Sequence, residues 1–270
     1  MSHKTDRSPA LINDPRRLPR LISVVTIGAA LLGFGVGLLA LGASLGVWLG
    51  IWDFRQGFSV LQFANTHARW ITVLAIGLAF LLWASRRLPA ARHSANAGSL
   101  VMVAAFVALL AWQVPESYRP PQGTPPIHDI TTDLDDPPAF VAVLPLRGSN
   151  SNPVEYGTAA NMTPERQAEL QRQAYPEIQP VLLGDSPDRA FQRALAAVEQ
   201  LGWELVAQVP EEGRIEATDT TFWFRFKDDV VIRIRAEGDG SRIDARSTSR
   251  VGVSDVGKNA ARLREFFAAL

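Results

Sequence analysis

Three groups of side chains have types and spacings that could do chemistry. The first is the string Arg246, Ser247, Ser249, Arg250, Gly252, Ser254, Asp255 and Asn259, where an alternating apolar segment runs into a helical one. Two arginines beside a helix N-terminus can hold a carboxylate or phosphate through guanidinium forks and free backbone N–H groups. The same string has a plainer reading, in which Asp255 complements the helix dipole and pairs with Arg250, and Arg246 pairs with an acid such as Asp219. The second group is an alternating row of Trp223, Arg225, Arg233, Arg235, Arg242 and Arg246. It could meet an anionic ligand such as a lipid headgroup. It could equally stand solvated, with Arg233 and Asp244 as a cross-strand pair contributing roughly 0.2–1 kcal/mol. The third is His128 with Asp129, Asp133, Asp135 and Asp136. His128 is the only histidine after residue 114, so a histidine base or metal ligand in that half must be this residue. Caps and turns are the plainer role for its acidic neighbours.

Much chemistry is excluded. The chain has no cysteine, which removes disulfides, thiolate metal sites, iron–sulfur clusters and cysteine nucleophiles. The acids after His128 lack the spacing and glycine of an EF-hand, no G-x-S-x-G elbow occurs, and no glycine-rich phosphate loop follows a strand. No metal and no cofactor is expected.

These groups must be positioned by an α+β domain. Thr163-Pro164-Glu165 and Ser186-Pro187-Asp188 each supply an N-cap, a first-turn proline and a first-turn acid, so helices open at both. The second carries a stripe of Phe191, Leu195, Val198 and Leu201 and closes at Gly202. Strands are expected over 140–146, 204–209, 214–218, 222–227, 230–236 and 241–249. Gly238-Asp239 as a two-residue turn pairs Ile234 with Ile243 and Arg233 with Asp244. A three-residue loop, Lys227-Asp228-Asp229, then brings Phe222, Phe224 and Phe226 onto the core face with Ile232, Ile234, Ile243 and Ala245. Ser254 should cap a last helix whose Val256, Ala260, Leu263, Phe267 and Leu270 cover the sheet. The expected object is an antiparallel sheet with helices packed on one face.

The first 114 residues are of another kind. The whole chain balances 27 Lys+Arg against 27 Asp+Glu, yet residues 1–114 hold 10 basic and 3 acidic side chains while residues 115–270 hold 17 and 24. Uncharged stretches run over 21–52, 70–85 and 94–114. The first is longer than the roughly 20 residues that cross a bilayer, and more than twice a signal-peptide core. The second is short, and reaches across by recruiting residues 66–68 and letting Arg69 snorkel. Three transmembrane helices are expected over 21–114, after a tail over 1–20 and before a Pro-rich linker over 115–127 and a domain over 128–270. Lys4, Arg7, Arg16, Arg17, Arg20, Arg86, Arg87 and Arg92 share one side, against Arg55 and Arg69 on the other. The positive-inside rule makes the richer side cytoplasmic and delivers the domain to the opposite side. Trp48, Trp52, Trp70 and Trp112 fall at outer ends and Trp83 at an inner end. Glycines in Gly33-x-x-x-Gly37 and Gly42-x-x-x-Gly46-x-x-x-Gly50 invite close helix approach, against this chain's own helices or in a homodimer. No ionisable residue is expected inside a span, so transport has no visible carrier.

The domain's strings resemble a known family. Pro126-Ile127-His128-Asp129-Ile130-Thr131-Thr132-Asp133, Tyr175-Pro176-Glu177-Ile178, Ile215-Glu216-Ala217-Thr218-Asp219-Thr220, Phe226-Lys227-Asp228-Asp229-Val230-Val231-Ile232-Arg233, and Arg246-Ser247-Thr248-Ser249-Arg250-Val251-Gly252 with Ser254-Asp255-Val256-Gly257 occur in order. They are similar to the bacterial and plastid domain-of-unknown-function family 1499, over about residues 125–270. The resemblance implies a domain boundary and preceding helices, and no mechanism.

The combined expectation is a membrane-anchored module in a bacterial inner membrane with a periplasmic domain. It would bind or interact through an anionic envelope ligand or a protein partner, with the lipid bilayer around its helices and no nucleic acid. The candidate binding residues are Arg246, Ser247, Arg250, Asp255, Asn259, Trp223 and Arg225. The alternative is an envelope hydrolase or transferase using His128 with Asp129 or Asp133.

Overall fold

The computed structural model describes residues 17–85, 95–119, 122–159 and 161–270. The basic residues Lys4, Arg7, Arg16, Arg86, Arg87 and Arg92 therefore lie outside the described residues, as do Pro120 and Pro121. The chain divides into two compact units, Met1–Tyr118 and Arg119–Leu270.

Three helices make up the first unit: α1 (Arg17–Trp48), α2 (Phe54–Ser85) and α3 (Ala95–Ser117). Each contains a stretch long and apolar enough to cross a membrane. Their large apolar side chains point outward while alanines and glycines meet inside, the pattern expected where lipid is the solvent. A Cβ on Gly33 would lie 2.5 Å from the Ala104 carbonyl oxygen, and one on Gly37 would collide with Val107. The 33–37 register is thus used against the chain's own α3. Gly46 makes room for the Trp52 indole, whose Nε1 donates to the Ala43 carbonyl at 3.1 Å. Gly28, Gly35 and Gly42 have nothing within 4 Å.

Two features differ from the sequence expectation. Helix α2 begins at Phe54, far upstream of residue 66, where the second span was expected to start, and His67 and Arg69 lie well inside it. Arg69 is accommodated by aromatic faces, its guanidinium carbon 5.5 Å from the Trp70 ring centroid and 5.8 Å from that of Trp112. Helix α3 continues through Pro115 to Ser117, where a proline in the final turn removes one hydrogen bond without a following turn to disrupt.

The second unit is an antiparallel sheet with helices. Its strands are β1 (Asp129–Thr131), β2 (Val181–Leu183), β3 (Glu204–Val209), β4 (Arg214–Thr220), β5 (Lys227–Glu237) and β6 (Gly240–Ser249). The order is β1-β6-β5-β4-β3, with β2 also on β6. Both short strands share the outer edge of β6, β2 pairing 241–243 and β1 pairing 246–248. Helix α4 (Pro164–Ala174) shields that edge: Gln171 donates to the Thr131 carbonyl at 2.5 Å and accepts from its N–H, and Gln167 donates to the Asp129 carbonyl. Side-chain amides thus replace the missing neighbouring strand. Helices α5 (Pro187–Gln200) and α6 (Lys258–Ala269) bury Phe191, Val198, Leu263 and Phe266 against Ile215, Ile232, Ile234, Ile243 and Ala245.

The turn at Gly238 and the pairs Ile234–Ile243 and Arg233–Asp244 are as expected. The preceding hairpin is not. Lys227, Asp228 and Asp229 are strand residues paired with Thr220, Asp219 and Thr218, and residues 221–226 form the connection. Thr221 closes it, its N–H donating to the Phe226 carbonyl and its hydroxyl accepting from the Phe226 N–H, while Arg225 takes a left-handed φ of 55°. Phe222 is therefore 67% exposed instead of core. Residues 140–146 are also no strand: they form an irregular run ending in a 3-10 turn, Leu144–Leu146. Val256, expected on the core, has a left-handed φ and is exposed, whereas Phe266, not expected there, is fully buried.

Candidate functional site

The sheet face opposite the helices should by alternation be a solvated arginine row. It is instead roofed by the segment from Asp133 to Tyr156, and its charges are arranged in closed groups. Arg246 donates through Nε and Nη2 to the two Asp129 oxygens at 2.9 and 2.6 Å, and its remaining reach goes to the Pro138 and Val154 carbonyls. The rings of Phe140 and Tyr156 sandwich it at 5.1 and 5.6 Å. Beside it, Asp229 accepts from Arg147 at 2.5 Å, from Arg250 at 2.8 Å and from the Thr218 hydroxyl at 2.8 Å. Arg250 also reaches the Leu146 carbonyl. Burial lowers the Arg147 pKa, with Asp229 opposing the shift.

Towards the other end of that face, Asp244 and Asp133 share Arg233, Arg235 and Arg242. Burial pushes the Asp133 carboxyl up, but the N–H groups of Asp136 and Asp135 with Arg242 and Arg233 outweigh it and the net shift is downward. On β4, Glu216 is fully buried and its carboxylate accepts from the N–H groups of Val141, Ala142 and Val143, and from Arg214. This explains the missing strand at 140–146, whose donors are satisfied by a side chain instead of a ladder.

The helix face holds another closed group. Ser247 donates to Asn259 Oδ1 at 2.6 Å, and Asn259 Nδ2 donates to the His128 carbonyl at 2.8 Å and to the Ser249 hydroxyl at 3.0 Å. Arg262 joins Asn259 to Asp219 and Asp228, with both carboxylates at 2.7 Å. The N-cap position of α6 is Gly257, and Asp255, rather than Ser254, serves the helix start: its two oxygens accept from the Gly257 and Asn259 N–H groups at 2.8 and 2.7 Å. Burial raises its pKa, those two N–H groups opposing. Ser254 instead donates to the Pro125 carbonyl, fastening the incoming chain.

The candidate residues therefore do not converge. Arg246 and Arg250 lie in separate ion-pair groups, with Asp129 and Asp229 as partners where Asp219 and Asp255 were expected. Ser247 and Asn259 meet on the other face, and Asp255 serves the start of α6. Trp223 and Arg225 sit in the β4–β5 connection, away from the arginine row. His128 is buried at 6% exposure and joins the network through its carbonyl; its ring has no hydrogen-bond or ion-pair partner among the described residues. Asp133 is held by arginines. Among the described residues no three His, Cys, Asp or Glu side chains are grouped to hold a metal ion. Glu216, Asp228, Asp229, Arg147 and Arg262 were not singled out by sequence: Glu216 alternates onto the face opposite Ile215 and Ala217, and Asp228 and Asp229 read as turn residues.

A cavity of about 290 Å³ opens beside Arg246, walled by Pro137, Phe140, Leu144, Val154 and Tyr156. The Tyr156 hydroxyl has no hydrogen-bond partner among the described residues, and burial, with Asp129 nearby, drives its pKa upward.

Three membrane-type helices and an α+β domain cemented by internal ion pairs define a membrane protein with a structural polar network. Residues 129–270 match the family described as Protein of unknown function (DUF1499), and the chain belongs to this family. No curated protein matches it.

Proposed function

We propose that the protein is an inner-membrane-anchored interaction module of a bacterial envelope, its N-terminus cytoplasmic and its domain extracytoplasmic. On this reading the domain acts by surface contact with an envelope protein, and neither catalysis nor nucleic acid is invoked; capture of an anionic small molecule at Arg246 or Arg250 loses its basis, because internal carboxylates hold both guanidiniums. The observation that carries it is the closure of the polar groups: Arg246, Arg250 and Asn259 are held by Asp129, Asp229 and the His128 carbonyl from elsewhere in the domain, while Ser247 and Asp255 are satisfied within the 246–259 string. Such groups specify a rigid shape and leave recognition to the surface. The hydrolase reading on His128 gains no support from Asp129, which is held by Arg246. The orientation rests on the charge asymmetry of the loops.

The absence of cysteine makes the test clean. A single cysteine at the exposed Asp239 should react with a membrane-impermeant maleimide in cells whose outer membrane alone is permeabilised; reaction only after lysis overturns the orientation. Crosslinking from the same site in native membranes should give a stoichiometric adduct to one envelope component. Free monomer from Asp239 and from several other surface sites overturns the interaction reading.

A further inference from the structure

The domain presents exposed apolar groups at one end of its sheet. Phe222 is 67% exposed, Trp223 41%, Val253 75%, Val256 41% and Leu146 53%. They come from three segments that the hydrogen bonds tie together. The Arg250 N–H donates to the Lys227 carbonyl, joining the loop after β6 to the β4–β5 connection, and Arg250 Nη1 donates to the Leu146 carbonyl. Single exposed apolar residues are ordinary on a protein surface, but five from three adjoining loops form a patch.

The chain enters the domain at this same end. Ser254 holds the Pro125 carbonyl and the Asp255 N–H donates to the Ile127 carbonyl at 3.1 Å. The last apolar helix ends at Ser117, and the eight Cα steps from there to Pro125 span at most about 29 Å. The Gly238-Asp239 turn lies at the opposite end of the eleven-residue β5, about 36 Å away at strand rise. The tether from the apolar helices is therefore attached to the domain at its patch end. The residue types suit a bilayer surface, since Trp and Phe settle at the headgroup level and the cations Arg225 and Lys258 beside them match lipid phosphates.

We propose that the β4–β5 tip, with Val253, Val256 and Leu146, is a foot that rests in the interfacial layer of the lipid bilayer. The occupant is lipid, and the assignment holds whichever side of the membrane the domain occupies.

The test uses the full chain in nanodiscs of phosphatidylethanolamine and phosphatidylglycerol. Single nitroxide labels are placed at Phe222→Cys, Val253→Cys and, as an exposed reference at the other end, Asp239→Cys. Labels at 222 and 253 should favour collision with oxygen over a water-soluble nickel chelate, while the label at 239 favours the chelate. Introducing Phe222→Ser and Trp223→Ser should abolish the oxygen preference at 253, with the circular dichroism and urea midpoint unchanged. Nickel accessibility at 222 and 253 equal to that at 239 overturns the proposal. Exclusion of both reagents from 222 and 253 also overturns it, because that marks burial against protein.

Discussion

Arg246 grips Asp129 across 117 residues of sequence, Nε to Oδ1 at 2.9 Å and Nη2 to Oδ2 at 2.6 Å, with both side chains 4% exposed. The pair bolts the short strand β1 to β6, where Thr131 is the cross-strand partner of Arg246. Taking two charges out of water is costly, so removing one partner is worse than removing both. Arg246→Met or Asp129→Asn should each lower stability by about 3–5 kcal/mol, and the double variant Arg246→Met/Asp129→Leu should recover most of the loss. Urea unfolding of the purified full chain reads this directly; a single variant with the wild-type midpoint shows the pair to be idle.

Glu216 organises the roof over the same face. Glu216→Ala leaves the N–H groups of Val141, Ala142 and Val143 without their acceptor, at about 1–3 kcal/mol for each group that water cannot reach, the buried Val143 first among them. Amide hydrogen exchange should accelerate over residues 139–147 while β5 and β6 remain protected. Unchanged exchange in that segment shows that the carboxylate does not hold it.

The sequence was readable where one local rule decided the outcome. Thr163-Pro164 and Ser186-Pro187 open helices, Gly238 closes a hairpin, and the pairing of Arg233 with Asp244 follows from that turn. It misled where a distant side chain overrode local preference. Asp228 and Asp229 resemble turn residues, yet they lie inside β5 because Arg262, Arg147 and Arg250 neutralise them from 34, 82 and 21 residues away. The run 222–226 alternates like a strand, but moving the aspartates into the ladder makes it the connection. Residues 140–146 lack a strand partner because Glu216 supplies one, and β1 was not legible because three residues carry too little pattern. The candidate site was legible as a list of polar residues but not as pairs, since partner choice depends on which faces the shifted register brings together.

The acid limb of stability should depend on Asp133. Its folded pKa lies below the ordinary 3.8, so its contribution is complete above that value and is lost as pH falls through the lower folded one. Asp255 runs the other way: its raised pKa favours the folded state at low pH, and that advantage disappears as pH rises through the folded value. Asp133→Asn should therefore be less stable than wild type at neutral pH and converge with it in acid. Urea midpoints compared at about pH 6 and about pH 2.5 test this, and a constant gap between the two proteins would falsify it.

The helical unit offers a test that separates internal packing from association. Gly33 faces the Ala104 backbone and Gly37 faces Val107, whereas Gly28, Gly35 and Gly42 face open space. A leucine at 33 must push α3 away along its whole contact with α1, because the obstacle is backbone and cannot rotate aside. A Cβ at 42 meets nothing within 4 Å. Gly33→Leu should thus lose thermal stability in mild detergent and gain protease sensitivity in the loops, while Gly42→Leu keeps both at wild-type values. If the glycines at 28, 35 and 42 instead contact a second copy in the membrane, Gly42→Leu will alter the crosslinked dimer fraction and leave the unfolding of the monomer unchanged. Equal damage from both substitutions would show that the two faces of α1 are not distinguished as their packing requires.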